Sequence, residues 1–440
     1  MQRWRWVDHD RFTAPRDDRV VSGQDRSAAL RRELGLADAV LVGLGAMLGA
    51  GVFAAWGPAA TAAGAGLLIA LPVAALVAYC NAISSAQLAA VHPLAGGTYV
   101  YGRRQLGPTW GFVAGWGFVV GKSASCAAMA LTAGAYAWPA HPRVAAVLAA
   151  VLLTAVNYRG VTKTAAVTRV LVAITLLALG AVVVGSLAGE ATDPARLSPL
   201  TGHGAYGILQ AAGLLFFAFA GYARIATLGE EVRNPARTIP QAVPLALGIV
   251  VAVYALVGVS VLLVLGADGT ASSVAPLQDA VLTGSLRSLA PLVQVGAVAA
   301  SLGVLLSAMA GVGRTALAMA RDRELPVALA AIHPRFAVPQ RAELLLGAVV
   351  VIAVSVADIR GAIGFSSTGV LVYYAIGNAS AWTLPGRARH WRRPVAALGF
   401  TGCLVLVATL PIASVLAGLG VLGLGLLTRA VLASRRSVER

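Results

Sequence analysis

Two glycine-interrupted apolar stretches hold the residues whose types and spacing could do chemistry. The first reads Gly43-Leu44-Gly45-Ala46-Met47-Leu48-Gly49-Ala50-Gly51-Val52-Phe53, inside an apolar run over residues 37–60. A glycine costs a helix about 1 kcal/mol relative to alanine. Irregular backbone is tolerated in hydrocarbon only where it lines a cavity or is buried in protein. A helix broken around Gly49-Ala50-Gly51 would present free N–H groups at the start of its second half and free carbonyls at the end of its first. The N–H groups would donate to a carboxylate and the carbonyls would accept from an ammonium, which together suit a small zwitterion. Close packing against a neighbouring helix is the alternative use of the same glycines. The second stretch reads Phe216-Phe217-Ala218-Phe219-Ala220-Gly221-Tyr222-Ala223-Arg224, with its interruption at Gly221.

Two charges fall within apolar stretches. Lys122 lies about 18 Å along its stretch from the start near Trp110, where a charge costs at least ~2.5 kcal/mol. It could release and regain a proton as a cavity opens and closes, or serve as a structural lysine on unwound carbonyls. Arg224 lies about 9 Å from the end of its stretch. It can snorkel or pair with Glu230 or Glu231, and reads as a gating or structural charge. The aromatics Phe216, Phe217 and Phe219, and likewise Tyr373 and Tyr374, read as packing. The loop Gly96–Arg104 lacks the second half of a phosphate-binding loop and reads as a re-entrant connector.

The elements that must position these groups are membrane helices. Of 440 residues, 58% are hydrophobic and 12% charged, about half the charged share of a soluble protein. Twelve apolar stretches follow a basic tail over 1–34, which has no apolar core, so the first stretch is expected to serve for targeting. They cover about 37–61, 66–91, 109–137, 144–158, 165–188, 205–229, 240–266, 287–320, 342–358, 361–384, 394–412 and 414–432. With both termini cytoplasmic, only Arg143, Arg196, Arg287 and Arg360 of the 34 Lys and Arg are assigned to the outside, and all the rest except Lys122 and Arg224 are assigned to inside segments. The net charge of +16 is therefore a matter of topology, and no nucleic-acid partner is expected. The three cysteines all fall within apolar stretches with no CxxC pattern.

The glycine breaks occupy the first and sixth stretches, so they correspond in two five-helix halves, and an odd number of helices per half inverts the second copy. Paired breaks of this kind are the strongest sequence pointer to a secondary transporter's binding site. Gly49 lies about 20 Å, and Gly221 about 14 Å, from the cytoplasmic ends of their stretches, so both are near the middle of a core about 30 Å thick.

With these features the chain resembles the amino acid–polyamine–organocation (APC) superfamily, whose members have a LeuT-type fold. The first glycine stretch is similar to that family's broken first helix. Phe216–Tyr222, with Glu230-Glu231-Val232-Arg233-Asn234-Pro235-Ala236-Arg237-Thr238-Ile239-Pro240, is similar to its sixth helix and exit. Gly313-Arg314 with Met319-Ala320-Arg321-Asp322-Arg323-Glu324-Leu325-Pro326 is similar to the end of helix eight. The resemblance covers about residues 37–390. It implies an all-α membrane protein of twelve transmembrane helices, a 5+5 inverted repeat with helices 1 and 6 broken, plus two C-terminal helices. It also implies transport of amino acids or amines by alternating access. By carry-over, the substrate carboxylate meets Gly49, Ala50 and Gly51, Met47 lines the pocket, and Phe217, Ala220 and Gly221 face it from helix six. Many proton-coupled relatives carry a lysine in helix five, where this chain reads Ala173-Ile174-Thr175, so Lys122 is the expected coupling group. Ser301 and Ser307 are not the adjacent hydroxyl pair of a sodium site in this fold, which favours protons, or exchange, over sodium.

The expected organisation is a cytoplasmic tail over 1–34, repeats over 35–190 and 204–390, helices 11 and 12 over 391–432, and a C-terminal tail over 433–440, in the cytoplasmic membrane. No cofactor or metal is expected, because the six histidines form no close pair or HExxH motif. An enzyme lacks its residues here, and a channel would want a filter element. A transporter-like sensor would want a soluble domain for which these tails leave no room. An exchanger stays open beside proton-coupled uptake, as do the particular substrate and the oligomeric state.

Overall fold

The computed structural model describes residues 34–92, 96–160, 165–226, 232–385 and 393–438. Helices dominate the described residues. Among the described residues, the only bridge between extended segments pairs Leu34 with Val232. In order, α1 (Leu36–Met47), α2 (Ala50–Ala54) and α3 (Trp56–Ala63) lead through a 3-10 turn into α4 (Leu67–Val91). A short α5 (Thr98–Gln105) precedes α6 (Pro108–Ala137), α7 (Pro142–Tyr158) and α8 (Ala165–Leu187). Next come α9 (Gly204–Phe219), α10 (Ala223–Ala226), α11 (Pro235–Ser272), α12 (Pro276–Thr283) and α13 (Ala290–Arg321). The chain continues with α14 (Gln340–Val356), α15 (Ile359–Trp382), α16 (Arg393–Thr409) and α17 (Ile412–Val438).

Eight of the described spans are long and apolar enough to cross a membrane, and the shorter apolar helices α7 and α16 accompany them. A helix falls in each of the twelve apolar stretches, but α7, α14 and α16 have only 17 residues each, at the lower limit for a bilayer crossing. The Gly96–Arg104 connector contains the helix α5, which starts after Gly97 at φ +57°. Tyr373 fastens that start by accepting a hydrogen bond from the Thr98 N–H at 3.0 Å.

We call the end of the bundle that carries Leu36 the near end and its opposite the far end. Helix α6 is the central post, packed on α13, α15, α7 and α5. Small residues let it approach its neighbours: Gly117 and Gly121 lie against the backbone of Ser366 and Gly369 on α15. Without a hydrophobic driving force between helices in lipid, such close backbone contact supplies the packing energy. A charged cluster ties the near end together. The Glu324 carboxylate accepts from Arg429 Nε at 2.7 Å and from Arg103 Nη1 at 3.0 Å. Tyr99 donates to Asp322 at 2.5 Å. Burial, with Asp322 beside it, raises the phenol's pKa and keeps it a donor.

Candidate functional site

Both expected breaks exist, and their residues meet. Helix α1 stops at Met47 and α2 resumes at Ala50, with Leu48 at ψ 65° and Gly49 fully extended between them. The N–H groups at the start of α2 are among those that an α-helix leaves without an internal partner. Helix α9 stops at Phe219, and Ala220–Tyr222 form an irregular step before α10. A side chain added at Gly221 would overlap the Ala46 carbonyl, and one at Gly51 would overlap the Ala218 backbone. At Gly49 an added Cβ would lie 2.5 Å from Val304 on α13. The glycines therefore serve both uses open to them: they break the helices, and they let the two broken segments touch.

Of the expected substrate-site residues, Met47, Gly49, Ala50, Gly51, Phe217 and Ala220 are buried in this junction, and Gly221 is half-buried. Two tyrosines govern the freed carbonyls. Tyr254 of α11 donates to the Met47 carbonyl at 2.7 Å, with the Ala218 carbonyl 3.1 Å away, so one hydroxyl bridges both breaks. Tyr374 of α15 donates to the Ala220 carbonyl at 3.4 Å. Packing alone therefore does not describe Tyr374. Its ring also lies 5.1 Å from that of Tyr222 and 5.9 Å from that of Phe216. Sequence reasoning passed over Tyr254. The available signal was a tyrosine hydroxyl in the middle of an apolar helix, which must find an acceptor when buried.

The far end is closed over the junction. Tyr136 of α6 donates to the Phe53 carbonyl at 3.1 Å, and its own carbonyl accepts from Gln294 of α13 at 2.7 Å. Towards the near end the face of α13 that meets Gly49 opens: Ser307 is exposed, and nothing lies within 4 Å of a side chain added at Gly311.

Lys122 is placed by the register of α6 on α13. Gly115 meets Met319, and Tyr136 meets Gln294, which sets Lys122 level with about Ala308–Val312. Val304 marks the Gly49 break, so Lys122 lies about 6–12 Å to the near side of it. Its helical phase matches Gly115 and Phe118, which face the interior, and opposes Trp116, which faces α17. It is half-buried. By this register its backbone stands about one to two helical turns from the breaks. Arg224 is exposed on α10, and the partners considered for it, Glu230 and Glu231, lie outside the described residues.

Beside the α1 break, a narrow cleft is lined by Gly45, Leu48, Thr168, Thr175, Gly303 and Val304, among others, none of them charged. Thr175 spends its hydroxyl on the Leu171 carbonyl at 2.8 Å. The Ser307 hydroxyl donates to the Gly303 carbonyl at 3.3 Å, whereas the buried Ser301 hydroxyl has no partner among the described residues. Sequence reasoning also passed over Glu343. It is 3% exposed, packs against Gly313, and has an Oε2 without a partner among the described residues.

Apolar helices around two facing breaks fit a multi-pass membrane transporter. The chain belongs to the amino acid permease family, whose model matches residues 38–387. It is 60% identical to an uncharacterized transporter of Mycobacterium tuberculosis over 422 residues, 96% of this chain and 95% of that protein. It is 26% identical to the branched-chain amino acid permease BcaP of Bacillus subtilis, covering 74% of this chain and 75% of BcaP. It is 28% identical to the methylthioribose transporter of Bacillus subtilis, covering 83% and 82%. The family and these relatives are transporters, and the protein is not an enzyme.

Proposed function

We propose that this protein carries an amino acid across the cytoplasmic membrane by alternating access, in a LeuT-type arrangement of two inverted five-helix repeats over residues 35–190 and 204–390. The observation that carries the reading is the backbone contact between the two breaks, with Gly221 against Ala46 and Gly51 against Ala218. Substrate carboxylate meets the N–H groups at Ala50 and Gly51, while ammonium takes carbonyls at the ends of α1 and α9. Met47, Phe217, Ala220 and Gly221 form the walls. Twelve helices cross the bilayer, both tails (1–34 and 433–440) are cytoplasmic, and α16–α17 lie outside the repeats. The near end is then cytoplasmic. The Tyr136–Phe53 closure with the open α13 face describes a state facing inward.

Lys122, on the inward route, is the candidate proton-coupling group, and Arg224 is a gating or structural charge. The uncharged cleft beside the α1 break supports exchange as a second reading, because it offers no charged coupling group there. The test is uptake of a labelled amino-acid panel into proteoliposomes, with and without an inward proton gradient, for wild type and Lys122→Ala. Gradient-driven uptake that the variant loses while still exchanging supports coupling through Lys122. Uptake that needs only internal substrate supports exchange, and silence across the panel overturns amino acid transport.

A further inference from the structure

We infer that the transported amino acids have uncharged side chains, and that lysine, arginine and glutamate are rejected. The inference rests on the proposed amino acid transport and concerns the part of the substrate beyond its head group.

The walls at the junction are apolar. Val304 faces Gly49, Ala218 faces Gly51, and the buried Met47, Leu48 and Phe217 complete the surroundings. A second cationic group on the substrate would need carbonyls or a carboxylate, because a charge removed from water without a partner is strongly disfavoured. The carbonyls freed at the breaks are largely taken. Met47 accepts from both Tyr254 and the Gly49 N–H at 2.8 Å, Ala218 is within reach of Tyr254, and Ala220 accepts from Tyr374.

The carboxylates on the described spanning helices stand away from the breaks. Asp38 pairs with Arg169 at 2.7 Å at the near end, and Asp268 is exposed at the far end. Glu343 is buried against Gly313. Gly313 is nine residues from Val304, about half a turn out of phase, so Glu343 lies on the opposite side of α13 from the break. Lys122, which the proposed function places on the inward route, would repel a basic substrate. An acidic side chain finds no cation among Val304, Ala218, Met47, Leu48 and Phe217, the walls named above.

The test is counterflow in proteoliposomes of the full chain, each loaded with one unlabelled amino acid and given the same one labelled outside. Leucine, phenylalanine and glutamine are compared with lysine, arginine and glutamate. The expected result is an initial rate for the best uncharged substrate at least tenfold above every charged one. A charged amino acid within tenfold of the best uncharged one overturns this inference and leaves amino acid transport standing. Six flat traces overturn both.

Discussion

Replacing Tyr254 with phenylalanine removes one oxygen at the point where both breaks are held. The hydroxyl donates to the Met47 carbonyl at 2.7 Å and lies 3.1 Å from the Ala218 carbonyl. A net hydrogen bond is worth about 0.5–1.5 kcal/mol, and a buried acceptor left without a donor costs about 1–3 kcal/mol. Met47 keeps the Gly49 N–H at 2.8 Å, so the larger cost falls on Ala218 alone. The ring itself stays packed, 5.3 Å from Phe219 and 6.4 Å from Trp56, so no cavity opens. The expected cost is about 1–2 kcal/mol, or roughly 5–30-fold. It should appear as a weaker apparent affinity in proteoliposome uptake, because the junction that the substrate uses is loosened. A Tyr254→Phe protein with KM within about twofold of wild type and an unchanged melting temperature would refute the claim that this hydroxyl couples the two breaks.

Further consequences follow from the same contacts. Gly221→Ala should lower transport by at least an order of magnitude, because the new methyl meets the Ala46 backbone; Gly423→Ala on α17, where nothing lies within 4 Å, should transport normally. Tyr136→Phe should weaken the far-end closure by about 1 kcal/mol, read as faster labelling of a cysteine placed beside Phe53. Glu324→Gln leaves Arg103 and Arg429 without their shared carboxylate, and should lower the melting temperature in detergent by an amount that shrinks as salt is raised. Gly313→Ala should destabilise by roughly 1–3 kcal/mol through its clash with Glu343, and Glu343→Ala in the same chain should recover part of that loss.

Local chemistry made a good part of this protein legible. An excess of apolar residues over charged ones leaves a membrane as the only suitable solvent, and glycine lowers helix stability wherever it stands. The interruptions at Gly49 and Gly221 were therefore readable in place, as was the family resemblance that rests on the residues around them. The depth of Lys122 within its helix could also be counted, since a helix advances a fixed distance per residue. Side-chain partners could not be counted in that way. Tyr254 lies 207 residues from Met47, and Tyr374 lies 154 from Ala220, so no periodicity in either helix points to the carbonyl it meets. The phase of α13 puts Glu343 behind the helix and Val304 at the break, and only the packed bundle sets that phase. The sequence by itself determined where the backbone would have to break. The tertiary structure decided which hydroxyls close onto the broken ends and how far Lys122 stands from them, because those contacts depend on the register between helices distant in the chain.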